Sequence, residues 1–190
     1  AQFFWSGSTH ETRNVACTDC HSVHSPKSEN AQLVASNMLE QCFSCHKNVR
    51  ADLWKNSHHP IREGKISCSD CHNPHGTQTA KMVLGESVNE LCYTCHTEKR
   101  GPFIWEHAPV RESCLNCHTP HGSSHNKLLN EKVPNLCQDC HVQGRHPTAF
   151  YGQNQAWIGA NGQPVTTPST RFISRSCLNC HNSIHGSNAP

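Results

Sequence analysis

All fourteen cysteines of this chain fall into seven Cys-x-x-Cys pairs, and a histidine follows each pair directly. The first four runs are Cys17, Cys20 and His21; Cys42, Cys45 and His46; Cys68, Cys71 and His72; and Cys92, Cys95 and His96. The last three are Cys114, Cys117 and His118; Cys137, Cys140 and His141; and Cys177, Cys180 and His181. No other feature constrains the fold so tightly, because the rest of the composition is poor in core-forming residues. Only 34% of the 190 residues are hydrophobic and 6% aromatic, against 11 Gly and 11 Pro. Side chains alone would struggle to offset the entropy of ordering such a chain. Something else must fill its interior.

Three other uses of paired cysteines leave the histidines unexplained. A disulfide scaffold gives no reason for an imidazole after every second cysteine. Zinc ribbons spend two Cys-x-x-Cys pairs on one metal and fix no adjacent histidine. Thioredoxin-like redox motifs come singly, in a βαβ setting that this sequence lacks. Cys-x-x-Cys-His is instead the attachment signature of haem c. Two thiols form thioethers to the two vinyl groups at one edge of the porphyrin, and the next imidazole is held against the iron. The expectation is seven covalently attached haem c groups that supply the missing core, with "MVLG" (82–85) and "KLLN" (127–130) lining them.

Ten histidines remain: His10, His24, His58, His59, His75, His107, His121, His125, His146 and His185. Met38 and Met82 are the only methionines, so His/Met ligation cannot be the rule. Bis-histidine ligation is the expectation, with His10, His24, His58, His75, His107, His121, His146 and His185 as second ligands. His58 is preferred to His59 because "HHP" and "EHAP" share His-x-Pro, where proline stiffens the chain. His125 and the other member of the His58/His59 pair are read as surface residues. Eight candidates for seven irons leave one over. The expectation is that a terminal histidine, His10 or His185, is free or reaches a haem in a neighbouring subunit.

The chain reads as one heptahaem domain, 1–190, built of repeats 1–50, 51–100, 101–145 and an incomplete 146–190. Each complete repeat holds an upstream histidine, a motif with a trailing histidine, and a second motif without one. Two outlying histidines thus serve two haems per repeat, with His75 expected inside its own two-haem unit. "ENAQLVASNMLEQCFSCHK" has a helical apolar pattern, and "ESVNELCYTCHTEK" and "VPNLCQDCH" are shorter versions of it. "NPHG", "TPHG" and "SIHG" break any helix after the first motif. The predicted fold class is mostly irregular with short α-helices and little or no β, elongated, and organised by a chain of stacked haems. Residues 147–176, which carry no motif, are expected to wrap the outside, with Trp157 and Phe172 at a haem edge.

The segments "HHPIREGKISCSDCHNPHG", "ELCYTCH", "EHAPVRESCLNCHTPHGS", "LCQDCH" and "SRSCLNCHNSIHGSN" resemble the decahaem periplasmic cytochromes of porin–cytochrome conduits, the MtrA/DmsE/PioA type. The resemblance covers nearly the whole chain, with seven motifs in place of ten. It implies a bis-His haem wire in the periplasm or at the outer membrane. Its implied partners are an outer-membrane β-barrel, an outer-surface cytochrome and other redox proteins. A natural short form and a fragment lacking upstream haems both fit, and the opening "AQFFW" suits a processed secreted protein.

Electron transfer is therefore the expected function, rather than catalysis. An enzyme of the multihaem nitrite or hydroxylamine reductase kind needs an open iron, commonly marked by a lysine replacing the motif histidine; all seven motifs keep theirs. The alternatives carried forward are a homopolymeric filament that self-associates through end haems and a periplasmic donor to a terminal reductase. The formal charge of +2 has no basic block, which excludes nucleic acid as a partner. No apolar run approaches the ~20 residues of a membrane helix. Propionates would turn the holoprotein acidic, about −5 oxidised and −12 reduced, so docking should respond to salt.

Overall fold

A computed structural model describes residues 4–141, 157–158, 164–165 and 176–189. These group into two compact units, Ala1–Leu129 with His185–Pro190, and Asn130–Ile184. The larger unit contains six short helices: α1 (Thr9–Thr12), α2 (Cys17–Cys20), α3 (Met38–Phe43), α4 (Lys47–Asp52), α5 (Val88–Tyr93) and α6 (Ala108–Glu112). The smaller holds α7 (Asn135–Gln138) and a two-residue antiparallel ladder, β1 (Trp157–Ile158) with β2 (Pro164–Val165). Such brevity follows from the sequence, since every element is interrupted by a motif or a turn before it can propagate.

The helices start where side-chain caps permit. Asn37 accepts from the Glu40 amide at 3.0 Å and opens α3. Ser87 does the same for Glu90 at 3.1 Å and opens α5. Each cap satisfies one of the orphan N–H groups of a helix start, worth about 1 kcal/mol. The helical pattern read across "ENAQLVASNMLEQCFSCHK" is realised only from Met38 onward. Asn30–Gln32 forms a 3₁₀ turn with Ala31 in the left-handed region, and Leu33 pairs instead with His21 in an isolated bridge.

Buried apolar residues are few among those described: Leu33, Phe43, Leu53, Ile61 and Val83. Phe43, Leu53 and Ile61 form one cluster, flanked by Leu39, Val49 and Ile66. The fully buried Leu53 contributes about 1.5–3 kcal/mol. This cluster lies between the second motif of the first repeat and the first motif of the next.

Successive repeats are joined by backbone. Ser57 and Ser123 exchange two amide–carbonyl bonds, at 3.1 and 2.8 Å, and Trp105 and Ser187 do so at 2.9 and 3.0 Å. Each join places the segment after a trailing histidine against the segment before the upstream histidine of the preceding repeat. Glycine is required there. A Cβ on Gly122 would overlap the Asp52 carbonyl, and one on Gly76 (φ +110°) the Phe4 carbonyl.

Candidate haem-ligand sites

Every motif adopts the same turn. The histidine amide donates to the carbonyl of its first cysteine at 2.8–3.0 Å in all seven: His21 to Cys17, His46 to Cys42, His72 to Cys68, His96 to Cys92, His118 to Cys114, His141 to Cys137 and His181 to Cys177. Residues three and four apart are neighbours on such a turn, so one turn gathers both thiols and the imidazole.

The second cysteine of each motif sits on that turn as well. Its amide donates to the carbonyl of the first cysteine in six motifs: Cys45 to Cys42 at 3.3 Å, Cys71 to Cys68 at 3.2 Å and Cys95 to Cys92 at 3.2 Å. Cys117 donates likewise to Cys114 at 3.3 Å, Cys140 to Cys137 at 3.4 Å and Cys180 to Cys177 at 3.2 Å. In the remaining motif Cys20 ends the helix α2 that Cys17 begins. Cys117 is half-buried, whereas Cys140 and Cys180 are exposed. All fourteen cysteines are free, and each pair stands as two thiols on one turn.

Thiols of consecutive motifs are also neighbours. Cys42 and Cys68 share a hydrogen bond that pushes the Cys42 thiol well up and pulls Cys68 down to about 7. Burial, with Cys114 alongside, raises Cys92 to about 11. Burial also raises Cys20 and Cys71, and the nearby Cys45 and Cys95 add to it. The order along the larger unit thus follows the chain, each motif's cysteines beside those of the next.

The imidazoles meet in pairs. His10 faces His46 with ring centres 6.1 Å apart, and His59 faces His96 at 6.3 Å. His21 faces His75 at 5.9 Å, His72 faces His121 at 6.0 Å, and His118 faces His185 at 6.2 Å. These separations can be tested against a metal between the rings. An imidazole nitrogen lies about 2 Å from a first-row metal, and the ring centre about 1.1 Å farther out, so two opposed ligands place their centres about 6.2 Å apart. All five pairs have that spacing, which fits one intervening iron. Among the described residues no three His, Cys, Asp or Glu side chains gather around a metal-sized gap. Zinc would need three or four protein donors; an iron already held by four porphyrin nitrogens needs two. The residues fit haem.

A backbone carbonyl fixes one imidazole of each pair. The Nδ1–H of His21 donates to Ala31 at 2.6 Å, that of His72 to Lys81 at 3.0 Å and that of His118 to Lys127 at 2.9 Å. In the other two pairs the donor is the upstream histidine: His10 to Pro74 at 2.8 Å and His59 to Pro120 at 2.6 Å. A carbonyl can only accept, so the proton is on Nδ1 and the Nε2 lone pair is left for iron. Ala31, Lys81 and Lys127 all have positive φ, 56–60°, and so do Gln32, Met82 and Leu128 after them. The same two-residue left-handed turn therefore recurs wherever a first-motif histidine must be oriented. Ring planes follow the same division. The first-motif pairs are inclined by 22°, 27° and 10°, and the second-motif pairs by 50° and 53°.

The trailing histidines of these pairs are half-buried. Burial holds His75, His121 and His185 below the usual imidazole value, which favours their neutral form. Trp5 lies 6.4 Å from the His75 ring and shields it.

Several sequence-based expectations change. His59, not His58, stands opposite His96. His58 donates from Nδ1 to Lys55 at 2.9 Å and from Nε2 to Glu63 at 3.1 Å, with Glu63 raising its pKa, so it has no free lone pair. The His-x-Pro alignment misled because the two prolines do different things. Pro109 sits in the first turn of α6, whereas Pro60 starts a turn closed by Lys65. The His75 ring faces His21 of the repeat before instead of an imidazole of its own repeat, and His121 and His185 face His72 and His118 likewise. The two terminal candidates, His10 and His185, both face imidazoles. His24 does not: it is exposed and has no hydrogen bond, ion pair or ring contact among the described residues. His107 precedes α6, and His141 and His181 close their motif turns. His146, Phe172 and the Trp157 side chain lie outside the described residues. Sequence reasoning missed the carbonyls of Ala31, Lys81 and Lys127, although a near-constant offset of 10, 9 and 9 residues after the motif histidine is a signal that could have found them.

Among the described residues no helix is long and apolar enough to cross a membrane. Residues 10–51, 58–101 and 107–146 each match the family described as "Doubled CXXCH motif". The chain is 45% identical over 187 residues to "Multiheme cytochrome MtrA" of Shewanella baltica (strain OS185). That match takes in 98% of this chain and 54% of the relative, so the chain spans about half the relative's length. With haem-binding turns repeated along its length and a similarity that extends nearly end to end, the chain belongs to the doubled-CXXCH family as an MtrA-like multihaem c-type cytochrome.

Proposed function

We propose that the chain is an electron-transfer cytochrome carrying seven haem c groups, each iron closed by two histidines. The observation that carries this reading is the set of five imidazole pairs at 5.9–6.3 Å. When bound, each haem supplies a one-electron couple whose potential depends on ligand, burial and nearby hydrogen bonds. The residues do the rest. Motif cysteines would tether each haem, paired imidazoles would hold its iron, and backbone carbonyls take the Nδ1 protons. By sequence register, His107 is the counterpart of His10 and His59, and His146 is the remaining candidate for the final motif. A closed iron cannot readily take a substrate, which argues against reductase chemistry.

The fold resembles a conductor more than a reactor. Consecutive cysteine pairs adjoin, and trailing histidines cross from repeat to repeat, so each repeat helps to complete the one before. Together with the similarity to MtrA, this supports electron transfer across the periplasm and outer membrane. The implied partners are a β-barrel, an outer-surface cytochrome and soluble redox proteins. Covalent haem attachment belongs outside the cytoplasm, which agrees with that location.

Mass measurement and low-temperature EPR of the haem-loaded chain test the reading. Seven haem increments are expected, with every ferric iron low-spin and no turnover of nitrite or hydroxylamine. Fewer increments, or a high-spin signal accompanied by turnover, would overturn it.

A further inference from the structure

On the bis-histidine reading above, we infer that Ser57 is a positioning residue for the His118 iron. Its hydroxyl, supplied by the preceding repeat, polarises the peptide that holds the His118 Nδ1 proton and so lowers the potential of that iron. Lys127 and Leu128 share one peptide unit, and both of its ends are engaged. The carbonyl accepts from His118 Nδ1 at 2.9 Å, and the N–H donates to Ser57 Oγ at 2.9 Å. Hydrogen bonds in series through an amide strengthen one another, by about 10–30% per bond. An acceptor on the N–H therefore puts more negative charge on the carbonyl oxygen. That oxygen draws the Nδ1 proton outward, makes Nε2 a better electron donor and favours the ferric state.

The hydroxyl is held in place from several sides. Ser57 and Ser123 exchange two backbone bonds, at 3.1 and 2.8 Å, which fix the Ser57 backbone beside the turn. The Ser123 hydroxyl donates to the Leu129 carbonyl and accepts from the His125 amide, so the far end of the turn is held as well. Ser123 is buried and Ser57 and Leu128 are half-buried, which limits the screening of the relay by water. The same position does something else in the neighbouring repeats. Ser8 stands two residues before His10, and its hydroxyl accepts from the Glu11 amide as the cap of α1. Trp105 stands two residues before His107 and has no hydroxyl. Ser57 also ties two sites together. It lies two residues before His59, which faces His96, and Cys92 of that motif adjoins Cys114 of the His118 motif. One serine thus links the ligand segment of one iron to the orienting carbonyl of the next.

The test follows haem-methyl NMR signals of the haem-loaded chain through a redox titration, in wild type, Ser57→Ala, Ser57→Thr and Ser8→Ala. A His185→Ala variant, which opens the His118 iron, identifies the signals of that haem. Ser57→Ala keeps both backbone bonds to Ser123 and should raise the midpoint of the His118 haem more than that of any other, with every iron still low-spin. Ser57→Thr retains the hydroxyl and should restore the wild-type midpoint, and Ser8→Ala should leave it unchanged. An unmoved His118 midpoint in Ser57→Ala would overturn the inference. So would equal shifts at the His96 and His118 haems, or equal shifts in the Ala and Thr variants, which would mark a packing role alone. Hydrogen exchange in wild type needs no variant: the Leu128 amide should be protected, and exchange at the rate of an open turn would also overturn the relay. A high-spin haem in the wild-type chain would instead overturn the bis-histidine reading, and the inference with it.

Discussion

At positions 58 and 59, two adjacent histidines with the same side chain have opposite prospects as ligands. His59 gives its Nδ1 proton to Pro120 and keeps a lone pair opposite His96. His58 has both nitrogens engaged, by Lys55 and Glu63. His59→Ala should therefore leave about one iron in seven high-spin, read by EPR and by the loss of a matching share of low-spin absorbance, with haem still attached. His58→Ala should leave the spectrum unchanged. The motif ligands could be read directly from sequence, because three residues on one turn decide them. The second ligands could not. Composition says that enough histidines exist, but only tertiary packing says that His75 reaches His21 and that His24 reaches nothing in the described residues.

Among the elements, the left-handed turns and the joints between repeats hold most of the design. Lys127 has φ 59°, a conformation that costs an ordinary side chain about 1 kcal/mol and a β-branched one more. Replacing it by Gly should be neutral or stabilising by up to about 1 kcal/mol, whereas Lys127→Ile should cost about 1–3 kcal/mol in denaturant titration. The Ile variant should also shift one haem potential, because the Lys127 carbonyl would no longer orient His118. Gly122→Ala drives a methyl into the Asp52 carbonyl and should cost about 1–3 kcal/mol, with earlier loss of the His72–His121 site than of the others. Helix existence was legible from the leucines before the second motifs and from the caps. Helix length was not. The apolar pattern from Leu33 to Leu39 satisfies a helix on paper, but the carbonyl of Ala31 is needed by His21, and that demand bends the chain out of helix. The "PHG" ends were legible as helix breakers, though not as the places where Gly lets the previous repeat approach.

Over the whole molecule, the small apolar core and the regular imidazole pairs describe a protein whose interior is supplied by its cofactors. The fold class followed from composition for that reason: too few apolar residues, and a fixed chemical use for every cysteine. The crossing of trailing histidines was out of reach from sequence, since a repeat that completes itself and one that completes its neighbour have the same pattern of residues. Charge gives a further expectation at this scale. With the propionates of seven haems included, the proposed holoprotein would be acidic, so its electron exchange with a small basic redox protein should slow severalfold between low and physiological ionic strength, and a neutral small-molecule reductant should show no such dependence. Stopped-flow kinetics at two salt concentrations would check both. The central claim is the ligand pattern itself, and an experimental structure of the haem-loaded chain with iron-to-histidine assignments tests it most directly. The account predicts irons between His21 and His75, His72 and His121, and His118 and His185, alternating with irons between His10 and His46 and between His59 and His96. A trailing histidine found on the iron of its own repeat would contradict it.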